Sequence, residues 1–385
     1  MKILAVSHAC VADVNQQLWV EMARCGAQVE LVVPARWRDH YNANRAPQRL
    51  DAADFPIHWL PVWGRGQIML HVYHRGITKI VRALRPDLVF IDEEPASLAT
   101  AQIGAICSAL GVPWACNTMQ NILKKYPPPF VWLERLTYRN ARGITALTPE
   151  VQQVLGRKGF RGACPLLPLA CDLALFHAAP QAQLRAELGL KSPTIGYLGR
   201  FVAEKGLETL IDAAAILRDQ SVNFQVLMVG SGTCQDALRA RVEAAALGDH
   251  FVWAGAVPHG RAADYLRCMD VFALPSLTMP NWKEQFGRVL IEAMACGVPV
   301  VGSSSGYIPD LIRQTGGGLV FAENQATDCA RALQILLDDA AQRQELGEIG
   351  AQAVRARYSY QAIGTRLFTI CEQLISKRDD VPGGL

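Results

Sequence analysis

Short apolar runs alternate with helical stretches along almost the whole chain, and the alternation occurs twice. In the first half the candidate strands are Ile3–Val6, Val29–Val33, Asp87–Ile91, Val112–Cys116, Ile144–Leu147 and Leu166–Leu169. Helical stretches such as Val14–Cys25 and Ala96–Leu110 fit between them. The second half repeats the rhythm with Thr194–Leu198, Gln225–Val229, Phe251–Trp253, Val271–Leu274, Val298–Gly302 and Leu319–Phe321. Strands that alternate with helices read as βαβ units, and these build parallel, doubly wound sheets. A chain of 385 residues suits two such domains better than one. The expected division is 1–172 for the first domain, 190–357 for the second and 358–378 for a closing helix. Residues 173–192, with Pro180 and a short helix Ala182–Leu188, read as the connection. Tyr358–Ile375 reads as a long amphipathic helix and 379–385 as a frayed end.

Composition excludes several classes. Half of the residues are apolar and 19% are charged, enough for two filled cores. A net charge of +3 is too small to argue for a nucleic-acid partner. No run of about 18 apolar residues is present, so no spanning helix is expected. Met1-Lys2-Ile3-Leu4-Ala5-Val6-Ser7 reads as a first strand, not a signal peptide. The 11 cysteines are scattered and include no Cys-x-x-Cys. That usage points to a reduced, cytoplasmic chain and to no zinc knuckle.

Chemistry concentrates in two segments. One is Glu284-Gln285-Phe286-Gly287-Arg288-Val289-Leu290-Ile291-Glu292, which runs into Ala293-Met294-Ala295-Cys296-Gly297-Val298-Pro299-Val300-Val301. Two carboxylates bracket a glycine-containing turn and the start of a helix. A helix N-terminus offers free N–H groups and the positive end of the macrodipole to an anion. Glu284 precedes that position, and Glu292 lies about 6 Å along the axis from residue 288. One carboxylate can bind hydroxyls beyond a phosphate group and the other hydroxyls on its near side. A sugar on a nucleoside diphosphate has that layout.

The other segment is Ile195-Gly196-Tyr197-Leu198-Gly199-Arg200-Phe201-Val202-Ala203-Glu204-Lys205-Gly206. An apolar strand ends in Gly-Arg, and Lys-Gly opens a helix. Arg can hold a diphosphate bidentately and Lys as a point charge. Cations held ready there stabilise the charge that builds on a departing phosphate.

Together these segments resemble the signature of retaining glycosyltransferases of the GT-B type, with a Gly-Arg…Lys-Gly loop and a Glu-x7-Glu motif (family 4-like, group 1). The resemblance is strong over roughly 190–322 and looser over the first half. It implies two Rossmann-like domains facing across a cleft. The first would bind an acceptor and the second a nucleotide sugar, such as a UDP- or GDP-hexose. It further implies that Arg200, Lys205 and the backbone at Gly199 hold the donor diphosphate, and that Glu284 binds the sugar hydroxyls. Phe286, Gly287 and Arg288 would present N–H groups, Glu292 would bind the ribose, and backbone groups near Val257 the base. The type generally needs no divalent metal and no cofactor. Retention of configuration follows from the same likeness, and because no carboxylate is evidently placed as a nucleophile on the opposite face of the sugar, a front-face route is expected over a covalent intermediate.

The first half departs from the family pattern. Relatives often show a Gly-Gly pair after the first strand, but here the loop runs Ser7-His8-Ala9-Cys10-Val11-Ala12-Asp13-Val14-Asn15-Gln16-Gln17. Asn15 or Gln16 is expected to line the cleft by side chain instead, and His8 reads either as an acceptor-site residue or as structural. Asp92-Glu93-Glu94 stands where relatives often carry His-x-His; Asp92 and Glu93 are expected in the acceptor site, and three acids could also hold a metal. Gln120 aligns where many relatives place a histidine. His71-x-x-His74 has helical spacing but no visible third ligand. Gly230-Ser231-Gly232 reads either as a tight turn or as a nucleotide contact. The stretches 64–75 and 124–132 mix cations with aromatics, as at a peripheral contact with an anionic membrane surface. A saccharide or lipid-linked acceptor at the inner membrane face would fit, in envelope polysaccharide, glycolipid or glycoconjugate synthesis. Two other readings compete: a nicotinamide oxidoreductase, which lacks its Gly-x-Gly-x-x-Gly and distal acid, and a catalytically silent sugar-nucleotide-binding protein of the same fold.

Overall fold

The computed structural model describes residues 1–38 and 44–376. The end expected to fray, Asp379 and Asp380 included, lies outside them. The described residues form two compact units, one from 1–168 with 360–376 and one from Leu169–Ser359.

The first unit is built on six parallel strands: β1 Lys2–Val6, β2 Gln28–Pro34, β3 Ile57–Leu60, β4 Leu88–Ile91, β5 Trp114–Thr118 and β6 Gly143–Ala146. Their order is β6-β5-β4-β1-β2-β3. The central strands are continuous apolar runs, Ile3-Leu4-Ala5-Val6 and Leu88-Val89-Phe90-Ile91, and all are buried. Helices on both faces of a parallel sheet demand that pattern. Leu166–Leu169 is not a strand; it makes only an isolated bridge from Leu166 to Ala146. Pro165 and Pro168 lack the N–H that a ladder needs. The sixth strand is instead β3, an edge strand whose four residues are only half-buried.

The second unit repeats the plan with β7 Thr194–Leu198, β8 Gln225–Val229, β9 Phe251–Gly255, β10 Val271–Leu274, β11 Val300–Ser303 and β12 Gly318–Phe321. Their order is β9-β8-β7-β10-β11-β12, again all parallel. In each sheet the chain works outward in one direction for three strands, then returns to the middle and works outward in the other. The reversal falls between β1 and β4 in one unit and between β7 and β10 in the other. Crevices at the carboxyl ends of such switch points are where ligands bind in open α/β sheets.

The last helix, Tyr360–Ser376, belongs to the first unit. Ile363, Leu367, Ile370, Cys371 and Leu374 are buried along one stripe. Each buried leucine or isoleucine is worth about 1.5–3 kcal/mol against exposure. The helix lies close on Gln17–Arg24, and the Tyr360 hydroxyl donates to the Val14 carbonyl at 3.1 Å. A Cβ on Gly364 would stand 2.3 Å from Cβ of Glu21, so this crossing leaves room for glycine only.

Candidate functional site

At the switch point of the second unit, β7 ends in Leu198 and leads into Gly199 and Arg200. The turn Gly230-Ser231-Gly232 after β8 is pressed against this loop. Phe201 N–H donates to the Ser231 carbonyl at 2.8 Å, and Cys234 N–H to the Phe201 carbonyl at 2.9 Å. Gly230 has φ +139°, and a Cβ there would lie 1.8 Å from the Gly199 carbonyl oxygen. The turn therefore shapes the Arg200 loop by backbone contact. Arg200 is exposed, with Nη2 3.6 Å from Glu204.

Lys205 and Glu284 are 79 residues apart in sequence and form an ion pair, Nζ to Oε2 2.6 Å. Ser276, just past β10, donates its hydroxyl to the same oxygen at 2.9 Å. Glu284 is buried, and Lys205 Nζ also lies 5.0 Å from the centre of the Trp282 ring. The Glu284 carbonyl is held from below by Tyr307 N–H at 3.2 Å. A Cβ on Gly306, where φ is +55°, would come within 1.9 Å of that carbonyl. The carboxylate is thus fixed on both sides, by backbone packing and by Lys205 with Ser276.

Gly287 is the N-cap of the helix Arg288–Ala295. Phe286, just before it, is buried and stacks on Tyr307 with ring centres 5.7 Å apart. One turn into the helix Glu292 is buried, with Arg288 Nε 3.8 Å away. Burial raises the Glu292 carboxyl above its usual range, and Arg288 pulls the other way. Val257 lies half-buried in the loop after β9. Glu284, Lys205, Arg200, the Gly287 helix start and Glu292 thus all come from segments of the second unit.

At the switch point of the first unit the three successive acids separate. Asp92 accepts from Ser7 Oγ at 2.8 Å and from Asn117 Nδ2 at 3.1 Å. Glu94 accepts from Thr118 Oγ1 at 2.6 Å and from Met119 N–H at 2.9 Å. Glu93 faces His8, whose backbone N–H donates to Oε1 at 2.9 Å and whose Nδ1 lies 2.6 Å from Oε2. Burial raises the carboxyls of Asp92 and Glu94. Burial would also raise Glu93, but His8 and His71 outweigh it and hold that carboxyl down to about 2. Burial lowers the His8 ring, and Glu93 and Asp92 more than reverse this, leaving it raised. The triplet therefore does not act as one three-acid cluster.

Asn15 donates from Nδ2 to the Ala9 carbonyl at 2.7 Å and so closes its own turn. Gln120 accepts from Ile122 N–H at 3.2 Å and lies 3.3 Å from the Tyr126 hydroxyl through Nε2. Ser276, Gly306 and the pairing of Lys205 with Glu284 were not legible as site features in the sequence. Ser276 could have been found as a hydroxyl just past a buried strand; the pairing joins segments too distant in sequence to be seen. The same holds for His71, which meets Glu93 rather than His74.

Residues 181–353 match the family described as glycosyl transferases group 1, and residues 11–167 match the glycosyl transferase 4-like domain. A 2-deoxystreptamine glucosyltransferase of Streptomyces kanamyceticus is 32% identical over 242 residues, which is 61% of this chain and 60% of that protein. The chain thus aligns with less than two thirds of that relative's length. A 2-deoxystreptamine N-acetyl-D-glucosaminyltransferase of Streptomyces fradiae is 27% identical over 78% of this chain and 77% of its own. Among solved structures, Anabaena HepE in complex with UDP and glucose matches with a TM-score of 0.71 at 17% identity, covering 97% of this chain and 100% of that one.

Proposed function

Because the chain belongs to the group 1 glycosyl transferases of GT-B fold, we propose that it moves a hexose from a nucleoside-diphosphate sugar to an acceptor hydroxyl with retention of configuration. The observation that carries this reading is the joined pair Lys205–Glu284 beside the Arg288–Ala295 helix start. A cation for the diphosphate and a carboxylate for the sugar hydroxyls are held 2.6 Å apart, at the boundary between a phosphate and a sugar. Arg200 and the N–H groups at Gly287 and Arg288 complete the diphosphate grip, and Glu292 takes the ribose. Because Lys205 and Glu284 neutralise each other without a donor, the diphosphate competes with Glu284 for Lys205. Glu284, still bonded by Ser276, then orients the sugar.

In this reading the departing diphosphate oxygen, stabilised by Arg200, Lys205 and the helix N-terminus, takes the acceptor proton as the glycosidic bond breaks. The new bond forms on the same face of the sugar. The first unit holds the acceptor, near His8 and Gln120. A saccharide or lipid-borne acceptor is supported by the surface of that unit, where Trp63 and Trp132 are 62% and 60% exposed. Among the described residues no helix is long and apolar enough to cross a membrane. Flotation with anionic vesicles at low salt, weakening at high salt, tests a peripheral membrane contact; no co-flotation at low salt would remove it.

The defining experiment incubates purified protein with UDP- and GDP-hexoses and follows release of the nucleoside diphosphate, with and without simple saccharide acceptors. Release from one nucleotide class, and an α-linked product from an α-linked donor, are expected. Tight nucleotide binding without release from any donor would make this a silent binding protein. An inverted product would remove the front-face route.

A further inference from the structure

The first unit contains a buried polar arrangement around His71, of which the proposed transfer uses only His8. His71 precedes the short antiparallel pairing of Val62–Trp63 with Val72–Tyr73, and its side chain is fully enclosed. Its Nδ1 lies 3.0 Å from the Ile68 carbonyl. A carbonyl only accepts, so Nδ1 is the donor in that contact, and Nε2 is left as the ring nitrogen for any other partner. That nitrogen is buried with no hydrogen-bond partner. It faces Glu93 Oε1 at 3.5 Å. A buried polar nitrogen aimed at a carboxylate oxygen without a hydrogen bond is costly unless a positive charge bridges the two.

The spacing indicates which charge. A hydrogen bond at 3.5 Å would be long for an imidazolium on a carboxylate. Two ligands about 2.1 Å from one tetrahedral ion stand about 3.4 Å apart. A third ligand is at hand: His8 Nδ1, at 2.6 Å from the other oxygen of Glu93. One donor atom from each of His8, His71 and Glu93 lies within 4.8 Å of the others. The group is walled by Trp37, whose ring centre is 4.9 Å from that of His8 and 5.0 Å from that of His71. His8 keeps 17% of its side chain exposed, which gives a path of entry.

We propose that His8, His71 and Glu93 bind one divalent cation of the zinc class. Two imidazoles and one carboxylate are the ligand set for borderline-soft, tetrahedral ions, not for magnesium or calcium, which take oxygen ligands. On binding, the proton on His8 Nδ1 leaves for solvent, its hydrogen bond to Glu93 opens, and the nitrogen turns to the metal. The ion ties the end of β1 and the end of β4 to the 64–71 loop. The site belongs to the first unit and is independent of the diphosphate grip proposed in the second.

The test is calorimetric titration of chelator-treated, full-length protein with zinc, and optical titration with cobalt. One equivalent of zinc should bind at roughly micromolar free metal or below. Proton release should show as a heat that depends on the buffer, and cobalt should give the intense visible bands of a tetrahedral site. His71→Ala and Glu93→Gln should each weaken binding by about 100-fold or more. His74→Ala, which changes a neighbouring surface histidine, should not. Far-ultraviolet circular dichroism of the His71 variant separates lost binding from lost folding, and His71→Gln serves if the alanine form is unfolded. Absence of zinc binding by the wild-type protein overturns the proposal, as does binding that survives both ligand substitutions.

Discussion

The two units share one topology and one location for chemistry, yet they fill it with opposite means. Each has six parallel strands and a reversal of strand order at its centre. At the second unit's switch point, glycines bring backbone close and a helix start, Arg200 and Lys205 supply positive potential. At the first unit's, side chains fill the same place: Asp92, Glu93 and Glu94 end β4, and His8 and His71 close on Glu93. A glycine-lined, positive end suits a large anionic ligand approached by backbone. An end packed with enclosed carboxylates repels a diphosphate and suits a hydroxylic acceptor or a cation. The strand plan fixes where a ligand binds, and the residues just past the strand ends decide which ligand.

The largest effect that would sharpen this contrast is expected from Glu284→Gln. It should lower transfer by about three orders of magnitude while nucleoside diphosphate still binds, because its proposed work is on the sugar. Steady-state rates and calorimetry on the same preparation separate the two. Equal collapse of both would move Glu284 from the sugar to the nucleotide. Next in size, Arg200→Ala and Lys205→Ala should each lower turnover by roughly two to three orders of magnitude. Since Lys205 and Glu284 touch, their double variant should lose less than the product of the single losses. Wild-type turnover in either cation variant would put the diphosphate elsewhere.

A smaller, two-signed effect is expected at Glu292. Its folded carboxyl is raised by burial, so its charge is a burden on the folded state. Below the ordinary glutamate range the group is protonated whether folded or unfolded, and Glu292→Gln should leave stability unchanged. As pH rises through the raised folded value, the wild type loses stability that the variant keeps. Near neutral pH the variant should therefore melt higher while binding nucleoside diphosphate about tenfold more weakly, the exchange expected of a binding residue. A lower melting temperature with unchanged affinity would make Glu292 structural. Smallest of all, chelator should leave nucleoside diphosphate affinity unaltered, since the grip proposed for the second unit is made of cations and backbone. A large loss restored by magnesium or manganese would contradict that.

Much of the second unit was legible because its signals are local. The run from Glu284 to Glu292 contains a turn, a cap and a helix start in consecutive residues, and Ile195 to Lys205 contains a strand end and a loop. The first unit was harder to read because the cluster at its switch point is assembled from distant segments. His8, His71 and Glu93 come from three parts of the chain, and single-residue types without spacing give no periodic signal. The helical spacing of His71 and His74 was misleading, because Val72–Tyr73 between them is a strand, and His71 is buried while His74 is exposed. β3 was missed for a related reason. Ile57-His58-Trp59-Leu60 is an edge strand only half-buried, and it lacks the continuous apolar run of the inner strands. Leu166–Leu169 had apolar residues but prolines where ladder donors are required.

The central claim is that the nucleotide sugar is held at the switch point of the second unit and not of the first. Calorimetric titration of UDP and GDP into wild type, Lys205→Ala and Glu93→Gln, side by side, tests it most directly. The account predicts that one of the two nucleotides binds the wild type. It also predicts that Lys205→Ala weakens this binding by about tenfold or more, the worth of one charge-assisted contact of ~1.4 kcal/mol or more. Glu93→Gln should leave it unchanged. Affinity that survives Lys205→Ala and is lost with Glu93→Gln would contradict the account.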